Sequence, residues 1–455
     1  MIRVNIGFLI ITSFFFLFFL ISSIFEREKR AAFVSSIFFG INTIFWLYLI
    51  KYNHLKIILY LNRILIIGFV AFTFLSLIKF FPKKEKDDLS NIELFDERDH
   101  MFSRNNLQYY PELMEKYYKD NPDKKKIDEK IHKLPELGEE GARYYDLYYS
   151  KIADASFRVL DRTTFLVEGE HSKTQKNTEP EKITEAIKFI AKYYGAVDVG
   201  ITRLKPYHYY SYHGRRAENW GKKIEQKHKY AIVIIVKMDY EMIKKAPTLP
   251  VILESSRQYV EAAKIAHIIA EYIRVLGYDA RSHVDGNYEV TAAPLARDAG
   301  LGEIGRLGIL IHPDYGPRVR ISAVTTNLEL TENPKKDFSY IEKFCKFCKK
   351  CAYNCPTKSI SLDDKPPQSR GFRHWSIKME SCYAFWKKIG TDCAFCIRSC
   401  PFTKKNTLLH KLVRFYISRN PINQRIALFF DNIFYGKNYK IESNNSSSFS
   451  ILKKF

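Results

Sequence analysis

The sequence predicts a mixed α/β body preceded by three membrane-spanning helices. Three observations predict it. Three runs with almost no charge open the chain, each about 20 residues long, the length that crosses a bilayer as a helix. Behind them, stretches with helical spacing of apolar residues alternate with short β-branched runs, the pattern of a layered α/β structure. All eight cysteines of the 455 residues lie between positions 345 and 400, so a separate cysteine-built domain follows the body.

The apolar runs are Ile6 to Phe25, Ala31 to Ile50 and Ile57 to Ile78, the last broken only by Arg63. Arg63 lies near one end and can snorkel to the interface. The first run alone would read as a signal peptide, but two further spans behind it make residues 1–80 an anchor. No twin-arginine pair stands near the start. With three spans, the loop EREKR (26–30) shares a side with the body. That side carries Arg27, Lys29, Arg30, Lys79, Lys83, Lys84 and Lys86, against Arg3, Lys51, Lys56 and Arg63 on the other. The excess of basic residues marks the inner side. The expectation is a multi-pass protein of the cytoplasmic membrane with its body in the cytoplasm.

Residues 81–140 are polar, lysine-rich and poor in glycine, and read as a linker or loosely packed arm with a few helical turns. Tyr109, Tyr110, Tyr117 and Tyr118 are expected to pack on the body rather than bind a ligand. The core is expected over 141–335. Glu179 to Tyr194 (EPEKITEAIKFIAKYY) has helical spacing, with Pro180 in its first turn and Gly195 as its stop. Val197 to Ile201 reads as a strand and Tyr230 to Val236 (YAIVIIV) as a buried one. Ser256 to Leu276 is an amphipathic helix stopped by Gly277. Ile309 to Ile311 and Val319 to Thr326 complete the strands. Beyond a cysteine domain at 336–405, residues 406–455 read as a basic amphipathic segment, Leu408 to Tyr435, and a disordered tail around Glu442 to Ser450.

The net charge of +22 suits either nucleic acid or an anionic membrane face, and no run of like charge decides between them. The cysteines are more specific. Cys345, Cys348, Cys351 and Cys355 read C-x2-C-x2-C-x3-C with Pro356 behind them. Cys382, Cys393, Cys396 and Cys400 read C-x10-C-x2-C-x3-C with Pro401 behind them. This is the run of bacterial two-cluster ferredoxins, in which the fourth cysteine of each half ligates the other cluster. Cys345, Cys348, Cys351 and Cys400 are therefore assigned to one [4Fe–4S] cluster, and Cys382, Cys393, Cys396 and Cys355 to the second. Structural zinc and disulfides are the competing readings, and neither explains the doubled C-x2-C-x3-C-P. Two adjacent clusters make an electron path that needs a terminus.

Between the body and the cysteines, AGLGEIGRLGILIHPDYGPRVR (299–320) places Gly300, Gly302, Gly305 and Gly308 within nine residues. Such density lets backbone approach a flat ligand, and equally makes a tight turn. The spacing is not that of a dinucleotide fold. Here the chain resembles the corrinoid-dependent reductive dehalogenases, from about Tyr194 to Pro401. The resemblance rests on AGLGEIGR, GPRVR, the helix before them and the two cysteine runs in this order, with YYGAVDVGIT and FFDNIFYG as further likenesses. The related epoxyqueuosine reductases share the glycine element and the clusters.

The resemblance implies a nitroreductase-like core holding a base-off cobamide with no protein nitrogen on cobalt. D-x-H-x-x-G is indeed absent, Arg281 standing where its aspartate would be two residues before His283. It implies a proton-donating tyrosine, Tyr259 in YVEAAKIAH. It implies an asparagine before the glycine element, Asn287 in VDGNYEV, with Asp285 as its rival. It implies an arginine closing G-P-R-x-R, Arg320, whose charge would make the tyrosine a better donor. It implies contacts to the cobamide from Gly300, Gly302, Gly305, Arg306 and Gly308. Trp375 and Trp386 line the pocket or, more simply, pack the core. The implied reaction removes halide from a small organohalide, with electrons from a ferredoxin, a flavodoxin or a membrane partner. Two readings compete: epoxide reduction on a tRNA base, and an iron–sulfur carrier with no chemistry of its own. The membrane spans and the 55 residues after Cys400, too few for a helical-repeat RNA platform, count against nucleic acid.

Overall fold

The computed structural model describes residues 2–81, 92–364, 366–369 and 372–439, with backbone alone at 368, 369 and 372. Lys83, Lys84 and Lys86 of the charge count and the tail from Glu442 to Ser450 lie outside the described residues. These residues form two units: 2–81 with 404–439, and 92–403.

In the first unit, helices Ile2–Phe25, Lys29–Lys51 and Lys56–Leu77 are each long and apolar enough to cross a membrane. They coincide with the three apolar runs. Phe14, Ile44 and Ile64 turn outward, as lipid-facing positions do. The segment expected as one amphipathic stretch is two helices, Leu408–Ile417 and Pro421–Tyr435. Pro421 cannot continue a helix, and Asn420 caps the new one by accepting from the Asn423 amide at 2.9 Å. Phe434 packs on Phe19 and Phe38, with ring centres 4.4 and 5.6 Å away. Asn423 donates to the Ser76 carbonyl at 2.8 Å. Glu26, between the first two spans, is buried against Thr407 and His410 at 2.6 and 2.9 Å.

The second unit is built on a sheet. Its strands are β1 (Asp198–Arg203), β2 (Tyr230–Lys237), β3 (Ala280–His283) and β6 (Val319–Thr326), in the order β1-β2-β6-β3, all antiparallel. A separate pair, β4 (Glu303–Ile304) and β5 (Leu310–Ile311), closes the glycine element. β2 reads as a continuous apolar run because both its faces are covered. Ile232, Ile234 and Val236 join the core under helices Pro180–Tyr193 and Pro250–Val275. Ala231, Val233 and Ile235 join Leu295, Leu301 and Leu310 on the other side. Helix Pro250–Val275 starts six residues before the expected Ser256. Pro250 reads as a breaker in sequence but fits a first turn, where its missing N–H costs nothing. Gly277, at φ +90°, ends the turn behind it.

The stretch expected as a loose arm carries helices Met101–Asn106, Pro111–Asp120 and Pro122–His132. Arg104 is buried and bonds Asp128 at 2.7 and 2.9 Å and Glu380 at 2.7 Å. Tyr118 donates to the same Asp128, and Tyr117 to Asp99. Tyr109 and Tyr110 remain exposed.

Candidate active site and iron–sulfur segment

The cysteines sit on four short helices, Ser339–Cys348, Lys350–Asn354, Met379–Ile389 and Phe395–Ser399, and on the turns between them. Lys349 and Ala394 are left-handed, at φ 52° and 44°. Lys349 separates two helices and Ala394 stands before the start of one, each inside a C-x2-C pair, so the two thiols of the pair do not continue one helical face. The thiols gather in two sets. Burial pushes the Cys351 thiol well up, and the neighbouring thiols of Cys345, Cys348 and Cys400 push it further. Burial does the same to Cys396, followed by Cys393, Cys382 and Cys355. Cys396 of the other set also acts on Cys351, so the two sets adjoin. Burial also holds Cys345 up to about 11, and Cys382 and Cys393 up to about 12. Thiols so disfavoured as lone anions need a bound cation to ionise, and iron supplies it. A pocket of about 280 Å³ is lined by Cys345, Cys348, Cys351 and Cys400. The donor set fits two iron–sulfur clusters. Among the described residues no three such side chains converge on a single ion.

Tyr259 projects from helix Pro250–Val275, half-buried, with the Arg320 guanidinium 4.9 Å from its ring centre. Arg320 opens β6, where it pairs with Val236. Its Nη2 donates to Ser255, one turn before Tyr259, and to Asp392 at 3.3 Å. Ser255 donates in turn to Asp392 at 2.5 Å. Asp392 directly precedes Cys393, so one polar chain ties the second cysteine set to Tyr259. Sequence reasoning missed Ser255 and Asp392. Among the described residues the Tyr259 hydroxyl has no hydrogen bond, and the buried Nε of Arg320 has none either. The expectation that Arg320 makes Tyr259 a stronger acid meets a larger opposing effect. Burial dominates and raises the hydroxyl to about 12, Arg320 offsetting only part of it.

Around Tyr259 the structure gathers Asp285, Tyr288 and Arg320, all close enough to influence one another's charge. Tyr210 and Arg215 belong to the same group and were not foreseen. Asn287 is turned elsewhere: its Oδ1 accepts from Arg281 at 2.8 Å. Of the two rivals, Asp285 acts on Tyr259 through its charge, and Asn287 is held by Arg281.

The glycines expected to cradle a ligand lie against protein. A Cβ on Gly302 would stand 2.3 Å from the Ile311 carbonyl oxygen, and one on Gly305 2.3 Å from the Ile311 side chain. Gly308 abuts the backbone of Trp375, and Gly300 that of Pro334. Gly302 and Gly305 are required by the close approach of Ile311, and Gly300 and Gly308 by their positive φ of 75° and 74°. Arg306 is fully buried and bonds backbone of the iron–sulfur segment, with Trp375 stacked on it. Trp386 packs with Phe102 and Tyr383. What a cobamide would find buried and unsatisfied are the Nε atoms of Arg320 and Arg215.

Residues 344–404 match the 4Fe-4S dicluster domain family. The chain is 34% identical over 232 residues to a tetrachloroethene reductive dehalogenase of Desulfitobacterium hafniense, covering 49% of this chain and 41% of that protein. It is 29% identical over 288 residues to the enzyme of the same name from Sulfurospirillum multivorans, covering 56% and 57%. An epoxyqueuosine reductase of Lactococcus garvieae is 29% identical over 125 residues, covering 27% and 34%. A catabolic reductive dehalogenase solved with 3-bromo-4-hydroxybenzoic acid superposes with a TM-score of 0.64 at 24% identity, over 80% of this chain and 49% of that one. The matched segments thus span about two fifths to three fifths of those dehalogenases. Over about half its length the chain is thus similar to reductive dehalogenases, it contains a 4Fe-4S dicluster domain, and it is similar over a shorter stretch to epoxyqueuosine reductase.

Proposed function

We propose that this chain is a membrane-anchored reductive dehalogenase acting on a small organohalide. The observation that carries the reading is Tyr259 under the Arg320 guanidinium, joined through Ser255 and Asp392 to the cysteine set that holds the inner cluster. A base-off cobamide, where bound, supplies the low-valent cobalt that breaks the carbon–halogen bond. Cys345, Cys348, Cys351 and Cys400 hold one cluster and Cys355, Cys382, Cys393 and Cys396 the other, which gives electrons a path inward. Tyr259 holds its proton throughout the physiological range and donates it to the carbon that loses halide. Arg320 keeps a positive charge beside the ring and stabilises the phenolate left by that donation. Ser255 and Asp392 hold Arg320 in place. The electron donor is a ferredoxin, a flavodoxin or a membrane redox partner.

A second reading, epoxide reduction of the epoxyqueuosine type, is favoured by Asp285, a carboxylate whose charge acts on Tyr259. One preparation tests both. Anaerobically purified protein should yield about eight iron atoms per chain and extractable corrinoid. With a low-potential reductant it should release halide from haloalkenes or halophenols. Iron without corrinoid would leave an electron carrier, and corrinoid with epoxide reduction but no halide release would favour the second reading.

A further inference from the structure

We infer that Arg306 is the residue that sets the reduction potential of the cluster on Cys345, Cys348, Cys351 and Cys400. This rests on the dicluster domain and not on the dehalogenase reading. Arg306 follows the glycine turn, and its side chain is fully buried. Its four hydrogen bonds all go to backbone carbonyls: Cys345 at 2.9 Å, Lys346 at 3.1 Å, Ser361 at 2.8 Å and Asp363 at 2.7 Å. Trp375 covers one face, 4.6 Å from guanidinium carbon to ring centre. Arg306 also lines the pocket formed by the four cysteines, and its backbone and its charge both act on the Cys345 thiol.

No carboxylate pairs with this guanidinium among the described residues. The nearby cation Lys349, which lines the same pocket, is neutralised by Asp364. A buried charge with no counter-ion costs several kcal/mol, and arginine does not shed its proton to escape. The pocket supplies the missing anion. A cubane on four thiolates is a net anion, and reduction adds one more negative charge. A fixed cation beside it stabilises the reduced state more than the oxidised one and raises the potential. The four carbonyl bonds also hold the loop that presents Cys345, so Arg306 positions a ligand as well as the charge.

The test is an EPR-monitored redox titration of the full-length protein, anaerobically prepared, with Arg306→Gln and Arg306→Lys beside the wild type. Iron content verifies that both clusters are assembled. The expected result is that Gln moves one cluster to a lower potential and leaves the other in place, while Lys stays near the wild type. Unchanged potentials in the Gln variant would overturn the inference. So would equal shifts in Gln and Lys, or loss of the cluster from both, because the side chain would then serve the loop alone. Absence of iron from the wild type is a different failure, that of the dicluster reading.

Discussion

Tyr259 carries the sharpest consequence at the scale of single residues. Tyr259→Phe removes one oxygen and keeps the ring against Phe157, so packing and cluster content should not change. Turnover should fall on the order of 10²-fold, the scale of losing a positioned general acid. An unchanged rate under conditions where chemistry limits turnover would move the proton to Asp285 or water. The pH dependence has a definite sign. With its hydroxyl raised to about 12, Tyr259 stays protonated on any ordinary assay scale. No alkaline fall in rate should therefore arise from Tyr259 below about pH 10. Arg320→Gln removes the cation that opposes burial most strongly, so the hydroxyl should become a weaker acid still and the rate should drop at every pH. At this scale the cysteine runs and Tyr259 were legible, because short fixed gaps and one helical motif carry them. Ser255, Asp392, Tyr210 and Arg215 were not. They come from three separate stretches of chain, and only the fold brings them to one place.

At the scale of elements, the most informative difference lies in the helices between residues 101 and 132. Their composition is that of a solvated arm, and apolar periodicity says little about them. What holds them is a buried ion pair, with the Arg104 and Asp128 side chains 3% and 0% exposed. Removing one partner of such a pair leaves the other charged and unpaired, at a cost of about 3–5 kcal/mol. Arg104→Met should lower the thermal midpoint markedly and open residues 101–132 to protease. Adding Asp128→Asn should recover part of that loss, because the orphaned charge is then gone. Equal damage in the single and double variants would show that packing of Tyr117 and Tyr118 holds the segment instead. The strands were easier to read. β2 is covered on both faces and shows it as an unbroken apolar run, whereas β3, four residues containing Arg281 and His283, carries no such signal.

For the molecule as a whole, the remaining question is which side of the membrane the chain's soluble part occupies. Three spans place the turn at Glu26 and the end of the third span on one side. The first unit agrees with that count from an independent direction. Residues after Thr403 meet Glu26 through Thr407 and His410, meet Arg30 through the Ile433 carbonyl at 3.0 Å, and meet Ser76 through Asn423. All of these contacts lie at the same ends of the spans. Arg27, Lys29, Arg30 and Lys79 lie there too, and basic residues accumulate on the inner side. Glu26 adds no free negative charge to oppose them. Burial alone would raise its carboxyl, but His410 and Thr407 outweigh it and hold the group ionised and paired. A reporter fused after Phe455 that works only in the cytoplasm should therefore be active, and one that works only after export should be silent. Reversing the bias, with Arg27, Lys29 and Arg30 changed to Gln and lysines added beside Lys51, should weaken that preference. An export-dependent reporter that is active in the unaltered chain would put the iron–sulfur segment outside the cytoplasm, and a ferredoxin or flavodoxin donor would then be ruled out by location.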